Sequence, residues 1–257
     1  MKYKIPYIAR TNHSINQRVV KAFAQGCGGE MFNIYESDFS PERVATYGVL
    51  RGTTEIIKSS KEYWYIDRGY FQSREYFRIT KNNLIHSGLG EHGWNRFSKF
   101  KKRLKPWRLT GKNIVVVPPS KPMATFLESE DWMTDTLKEV MEYTDRDILI
   151  SRKPGGLVEF DYSPLESSAQ IKDTEVPLEE ALKDAWVLVT NNSNAMVDAV
   201  IDGVPIICNN NNRKINSIKR IESPIRDREF LKNLAYNQWT LEEMRSGKAW
   251  AELNEWG

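Results

Sequence analysis

Four consecutive polar residues, Asn191, Asn192, Ser193 and Asn194, interrupt an otherwise apolar stretch between Trp186 and Cys208. Amide and hydroxyl side chains at the end of an apolar run, together with the first N–H groups of a helix, are the donors that hold a phosphate. Asp198 follows on the first turns of the predicted helix, where its carboxylate can accept hydrogen bonds from the vicinal hydroxyls of a ribose. Gly203 and Pro205 then lead into a second apolar run. Strand, anion loop, helix, turn and strand are thus compressed into about 22 residues, the βαβ order of a nucleotide-binding α/β domain.

A diphosphate also needs cations, and two other strand ends supply them. Ser120 and Lys121 follow the apolar run Asn113–Val117, and Arg152 and Lys153 follow Asp147–Ser151. Arginine suits bidentate phosphate contact and lysine a point charge. In open α/β sheets ligands bind outside the carboxyl ends of the strands. Arg152, Lys153, Ser120, Asn191, Ser193, Asn194 and Asp198 therefore form the predicted donor-binding set.

A reaction at a hydroxyl of a second ligand would require a group that takes the hydroxyl proton. Asp67 directly follows the aromatic run Tyr63-Trp64-Tyr65-Ile66, and His13 lies between the first apolar run and the first helix. Asp67 is the expected base, against the alternatives of a salt bridge with Arg68 or a turn residue before Gly69. His13 is the second candidate, as base or phosphate contact. No metal is expected: Asp145-Arg146-Asp147 has only the form of a cation-binding pair and precedes a strand. Cationic side chains and helix N-termini would stabilise the leaving diphosphate instead.

The elements that must carry these residues alternate. Lys4–Ala9 reads as a strand, Ile15–Ala24 as a helix with Val19, Val20, Phe23 and Ala24 on one face, and Gln25–Gly29 as its glycine-rich stop. Met31–Tyr35, Val44–Leu50 and Tyr63–Ile66 follow as strands, with a short helix at Thr53–Ser59. Pro106–Lys112 reads as a hinge. Beyond it come strands at Asn113–Val117, Asp147–Ser151 and Trp186–Thr190, and helices near Asp131–Tyr143, Leu178–Lys183, Asp227–Leu234 and Thr240–Leu253. Such alternation predicts parallel sheets.

Composition agrees with this. A chain of 257 residues is one large or two small domains. With 40% hydrophobic and 28% charged residues a packed core is expected and disorder is not. No run approaches the ~18 apolar residues of a membrane span, and no leader segment is read at the N-terminus. Cys27 and Cys208 stand alone, without metal-ligand spacing or a disulfide framework, so a cytoplasmic location is expected.

The pattern Asp198-Ala199-x-x-x-Gly203-x-Pro205 resembles the acidic-Ala-x3-Gly-x-Pro element of GT-B glycosyltransferases and their sugar-nucleotide epimerase relatives. The resemblance implies Asp198 as ribose ligand and Ser193 with Asn194 as phosphate contacts, the aspartate being one methylene shorter than the commoner glutamate. It implies an α/β fold with two Rossmann-like domains facing a cleft, at residues 1–108 and 109–226. Residues 227–257 would return as helices bracing the N-terminal domain. A narrower likeness is carried by Tyr63–Phe71, Tyr76–Asn82 and His86-Ser87-Gly88, with Leu234–Thr240, Glu243, Gly247, Ala249 and Trp250. These segments are similar to bacteriophage-encoded glycosyltransferases, some of which act on hydroxymethylated bases of their own DNA. On that resemblance the donor is a UDP-sugar, the acceptor a hydroxymethylpyrimidine in DNA, and the enzyme a monomer in the host cytoplasm. A cell-envelope glycosyltransferase and a non-catalytic nucleotide- or DNA-binding module are the alternatives.

Between Glu91 and Glu128 no acidic residue occurs, while Arg96, Lys99, Lys101, Lys102, Arg103 and Lys105 cluster there, interleaved with Trp94, Phe97, Phe100 and Trp107. Clustered cations attract phosphates and aromatic rings stack on exposed bases. An amphipathic helix with its aromatics in the core is the structural alternative, and another anionic acceptor the functional one.

Overall fold

The computed structural model describes residues 4–36, 38–49, 52–84, 91–152, 165, 168–173, 176–210 and 213–255. The chain divides into one unit of Met1–Phe100 with Phe230–Gly257 and a second of Lys101–Glu229.

The first unit begins with β1 (Tyr7–Arg10), α1 (Ser14–Cys27), β2 (Met31–Asn33), β3 (Arg43–Tyr47), α2 (Thr53–Ser59), β4 (Glu62–Arg68), β5 (Tyr76–Lys81) and α3 (Asn95–Ser98). The predicted apolar face of α1 is buried. The helix runs past Ala24 and ends inside the predicted stop, because Gly26 is helical and the chain turns at Gly28, with φ 75° and its N–H donating to the Ala24 carbonyl. A left-handed residue ending a helix is a role glycine fills without steric cost.

The second unit holds β6 (Asn113–Val117), α4 (Lys121–Phe126), α5 (Trp132–Tyr143), β7 (Asp147–Ile150), β8 (Ile171–Asp173) and α6 (Leu178–Ala181). It continues with β9 (Ala185–Thr190), α7 (Ala195–Ile201), β10 (Ile206–Asn210) and β11 (Arg213–Ile215). Its sheet has the order β11-β10-β9-β6-β7-β8, all parallel except β11. Chain order therefore reverses between β6 and β9, which is where a doubly wound sheet opens a crevice at its carboxyl ends. Every residue of β9 is buried, as expected of a strand covered on both faces.

The C-terminal segment, with α8 (Glu229–Tyr236), β12 (Gln238–Thr240), α9 (Leu241–Arg245) and α10 (Lys248–Glu255), returns to the first unit. β12 completes the first sheet, whose order is β12-β5-β4-β3-β1-β2, with β1 to β4 parallel and β5 and β12 antiparallel to their neighbours. Trp239 and Trp64 are both fully buried in that core with Phe23, Ile66 and Phe77. The single helix predicted over Thr240–Leu253 is two, separated at Gly247 with φ 84°, and a capping box of Thr240 and Glu243 starts the first. The missing side chain of Gly26 admits this segment, since a Cβ there would lie 1.8 Å from the Met244 carbonyl oxygen.

The second unit starts at Lys101, not at 109. Residues 101–110 form no regular element but lie as a strap against the end of α7. Lys105 N–H donates to the Ile201 carbonyl and Arg108 N–H to that of Gly203, both at 2.9 Å. Gly203 has φ 82°, and a Cβ on it would sit 2.1 Å from the Pro106 carbonyl oxygen. The glycine of the Asp198 element is thus required twice, by its own backbone and by the strap lying on it.

Candidate functional site

The carboxyl ends of β6 and β9 are tied at the reversal point, where the Thr190 hydroxyl donates to the Val117 carbonyl at 2.7 Å. The chain then turns through the four polar residues. Ser193 N–H reaches back to Thr190 Oγ1 at 3.3 Å, and Ser193 Oγ accepts from the N–H of Ala195 at 3.2 Å. Cys208 donates its thiol to the Asn191 carbonyl at 3.1 Å, fixing the loop to β10. Asn191 and Asn192 are buried at 3% and 9% exposure, which is unusual for amides. Among the described residues the Asn192 Nδ2 has no hydrogen-bond partner, and a buried amide donor left so costs ~1–3 kcal/mol.

Ser120 caps α4 with its hydroxyl uncommitted to the helix, and Arg152 follows Ser151 at the end of β7, half-buried. Lys153 lies outside the described residues. Asp198 sits on the exposed face of α7, in its first turn. Burial against the surrounding protein raises its pKa above the ordinary 3.8, Lys102 opposes that rise and Asp202 adds to it. α7 has only seven residues, so the side chains of the loop, and not a long helix dipole, must do most of the holding.

In the first unit Asp67 lies within β4, opposite Arg78 of β5. Asp67 Oδ2 accepts from the Tyr65 hydroxyl and from Arg78 Nη2, each at 2.9 Å, and Oδ1 accepts from its neighbour's N–H, that of Arg68, at 2.8 Å. Arg78 is 4% exposed, with its guanidinium 5.2 Å from the Tyr70 ring centre. Burial pulls the Arg78 pKa down, and Asp67, Tyr70 and Tyr65 together more than offset it, so the net shift is upward. Burial first and Asp67 second push the Tyr65 phenol well up, and the same two causes raise Tyr47 at the end of β3. The ion pair that Asp67 makes is with Arg78, and not with Arg68 as in the alternative reading of the sequence. Sequence reading missed Arg78, Tyr65 and Tyr47 as members of this cluster. The period-two spacing of Tyr76, Arg78 and Thr80 is the signal that would place Arg78 on a strand.

His13 is the residue before α1, at the carboxyl end of β1, and its Nδ1 is buried without a hydrogen-bond partner among the described residues. Asn16 joins the ends of the two neighbouring strands, accepting from Thr11 N–H at 2.9 Å and donating to the Tyr47 carbonyl at 3.1 Å. His13 and Asn16 therefore mark the point between β1 and β3 where the first sheet reverses its own order.

The basic segment does not form one surface. Arg96 is 8% exposed and donates to the Gln238 carbonyl at 2.6 Å and to Glu243 at 3.3 Å, a structural role that removes it from the predicted acceptor contacts. Phe97 and Phe100 are buried, packing on Phe71 with ring centres 5.2 and 5.0 Å away. Trp107 lies under Arg228 at 4.1 Å. These rings are not offered to a base. Lys99, Lys101, Lys102 and Arg103 are exposed, and Lys105 pairs with Asp202 at 3.0 Å. Among the described residues no group of three or more His, Cys, Asp or Glu could hold a metal, and no helix is long and apolar enough to cross a membrane.

No protein-family profile matches the chain, and no curated protein sequence does. Solved structures do. The beta Kdo 2,4 transferase of Thermosulfurimonas dismutans KpsC is similar with a TM-score of 0.54 at 11% identity, over 91% of this chain and 90% of that one. The beta Kdo 2,7 transferase of the same KpsC is similar with a TM-score of 0.52 at 13% identity, over 98% of this chain and 99% of that one. At these identities the likeness is one of fold. The protein has a GT-B-like α/β fold of two Rossmann-like units, each with its own largely parallel sheet.

Proposed function

We propose that this protein is a metal-independent glycosyltransferase that moves a sugar from a nucleotide diphosphate sugar, a UDP-sugar in the first instance, to a hydroxyl acceptor. One observation carries the reading: a buried asparagine amide, that of Asn192, unpartnered at the reversal point of the second sheet and followed by an exposed acid on the next helix. In this reading Asn191, Ser193, Asn194, Ser120, Arg152 and Lys153 hold the diphosphate and Asp198 the ribose. The GT-B-like fold shared with two sugar transferases supports it.

Asp67 is the proposed catalytic carboxylate. The Tyr65 hydroxyl, Arg78 and the Arg68 N–H hold it oriented. A weak base suffices when the proton moves late, because the attacking hydroxyl becomes strongly acidic as its new bond forms. His13 is the alternative proton acceptor.

For the acceptor, the burial of Phe97 and Phe100 weakens the stacking surface that DNA would use, and the similar solved structures transfer Kdo. A cell-envelope or polysaccharide hydroxyl is therefore the favoured acceptor. The exposed cations Lys99, Lys101, Lys102 and Arg103 support the second reading, a hydroxymethylated pyrimidine in phage DNA. A cytoplasmic monomer is part of the proposal in either case. The test is a panel of nucleotide sugars offered with an oligosaccharide acceptor and with hydroxymethylated duplex DNA, products being read by mass spectrometry. Glycan product alone supports the favoured acceptor, and a new nucleoside moves the assignment to DNA. Unchanged donor with every acceptor, after long incubation, leaves only a non-catalytic binding module.

A further inference from the structure

Thr190 is the last residue of β9 and has no exposed surface, yet its hydroxyl works in two directions. It donates to the Val117 carbonyl at 2.7 Å and accepts from the Ser193 N–H at 3.3 Å. Val117 is the last residue of β6 and pairs with Thr190 in register. Pro118 and Pro119 follow it, and with no N–H of their own they cannot tie the turn that leads to Ser120, the residue capping α4. On the other side Thr190 pairs in register with Cys208 of β10, whose thiol donates to the Asn191 carbonyl at 3.1 Å. One hydroxyl therefore links the turn that carries Ser120 to the loop that carries Asn191, Asn192, Ser193 and Asn194.

We infer that Thr190 is a positioning residue for the nucleotide site, its hydroxyl setting the loop so that the Asn192 amide and the Ser193 hydroxyl meet a phosphate together with Ser120. The inference rests on the donor reading above and adds to it a residue that does not itself touch the ligand. A hydroxyl suits the place because it can donate and accept at once. Valine has the same shape and can do neither.

The experiment measures binding of UDP, GDP, TDP and CMP to the full chain by titration calorimetry, beside urea unfolding. Thr190→Val should weaken the tightest-binding nucleotide about tenfold, the loss expected when a buried hydroxyl with two partners is removed. Thr190→Ser keeps the hydroxyl and should restore most of the affinity. Val189→Ala, one residue earlier on the opposite face of β9, is the control for a purely structural role: it should lower the urea midpoint and leave affinity unaltered. Wild-type affinity in Thr190→Val, or a loss in Val189→Ala as large as its own, overturns the inference. So does a Thr190→Ser variant that binds no better than Thr190→Val, and Thr190→Ala takes the place of the valine variant if that one does not fold. Absence of binding to the wild type by all four nucleotides overturns the donor reading itself.

Discussion

Asp67 and Asp198 are both aspartates at positions where a sheet or helix can offer a carboxylate to a ligand, but their surroundings differ in kind. Asp67 has its donors inside the chain: Tyr65, Arg78 and the Arg68 N–H occupy both oxygens. Among the described residues no side chain donates to Asp198, which is exposed and is pushed toward its neutral form by the protein around it. A few residues earlier Asn192 likewise lacks a partner for its buried amide. The first unit holds a finished electrostatic cluster, and the second holds an unfinished one. A finished cluster fixes a charge in place for chemistry. An unfinished one is completed by what binds.

Asp67→Asn should make the largest difference, lowering turnover by about 10² to 10⁴ with the affinity for nucleotide unchanged. Steady-state rates beside calorimetric nucleotide binding test this. Turnover within a factor of a few of wild type would leave Asp67 as a counter-ion only and pass proton removal to His13, for which His13→Gln is the matching variant.

The same contrast sets the expectation for stability. Arg78→Met leaves the Asp67 carboxylate and two buried phenols without their cation, and breaking a buried pair from one side costs ~3–5 kcal/mol. Urea unfolding monitored by tryptophan fluorescence reads the loss. A change under ~1 kcal/mol would mean that water or a rearranged Arg68 completes the cluster, and the first unit would then resemble the second.

Much of this architecture is legible in the residues, and the exceptions have physical causes. α1, α2 and β6 carry strong local periodicity, and their predicted ranges lie close to the observed ones. β12 has three residues and exists because Gln238 and its neighbours find β5, far away in the chain, so no local pattern reveals it. β5 carries a charge at its centre, Arg78, whose partner Asp67 lies opposite only in the folded sheet. Arg96 looks like a surface cation for the same reason: its partners Gln238 and Glu243 are 142 and 147 positions away. Gly203 is legible as a motif residue, but the carbonyl of Pro106 that forbids a side chain there is not. The polar corner of the second unit is legible because it is local, four polar residues and an acid in one βαβ unit. The Asp67 cluster is only half legible because its second half is tertiary.

Asp198→Ala should cost binding and not folding. Losing two hydrogen bonds from a charged acceptor to ribose hydroxyls weakens nucleotide affinity by ~1.5–3 kcal/mol. An exposed side chain on a helix contributes within ~0.5 kcal/mol to stability, so the urea midpoint should barely move. Unchanged nucleotide affinity, or a large loss of stability, would place Asp198 in the same category as Asp67 and erase the distinction between the units.

The smallest effect is in the pH dependence, where the two units should move in opposite directions. Glu243 in the first unit is pushed up by burial but pulled further down by the Thr240 N–H, Lys248 and Arg96, so its pKa is below the ordinary 4.5. A depressed carboxylate adds stability that is complete above its unfolded pKa and is lost as pH falls through the folded one. Asp198 is raised above 3.8, so below that value its protonated form favours the native state, and the advantage fades as pH rises through the folded pKa. Acidification from neutrality should therefore weaken the fold through Glu243 and slightly relieve it through Asp198, while protonating Asp198 removes the acceptor that the ribose needs. Urea midpoints against pH for Glu243→Gln and Asp198→Asn separate the two contributions, and nucleotide affinity over the same range should fall at a higher pH than an ordinary aspartate would give. Affinity that stays flat through that range in the wild type, with Asp198→Asn binding equally well, would show that the carboxylate charge is not what the nucleotide meets.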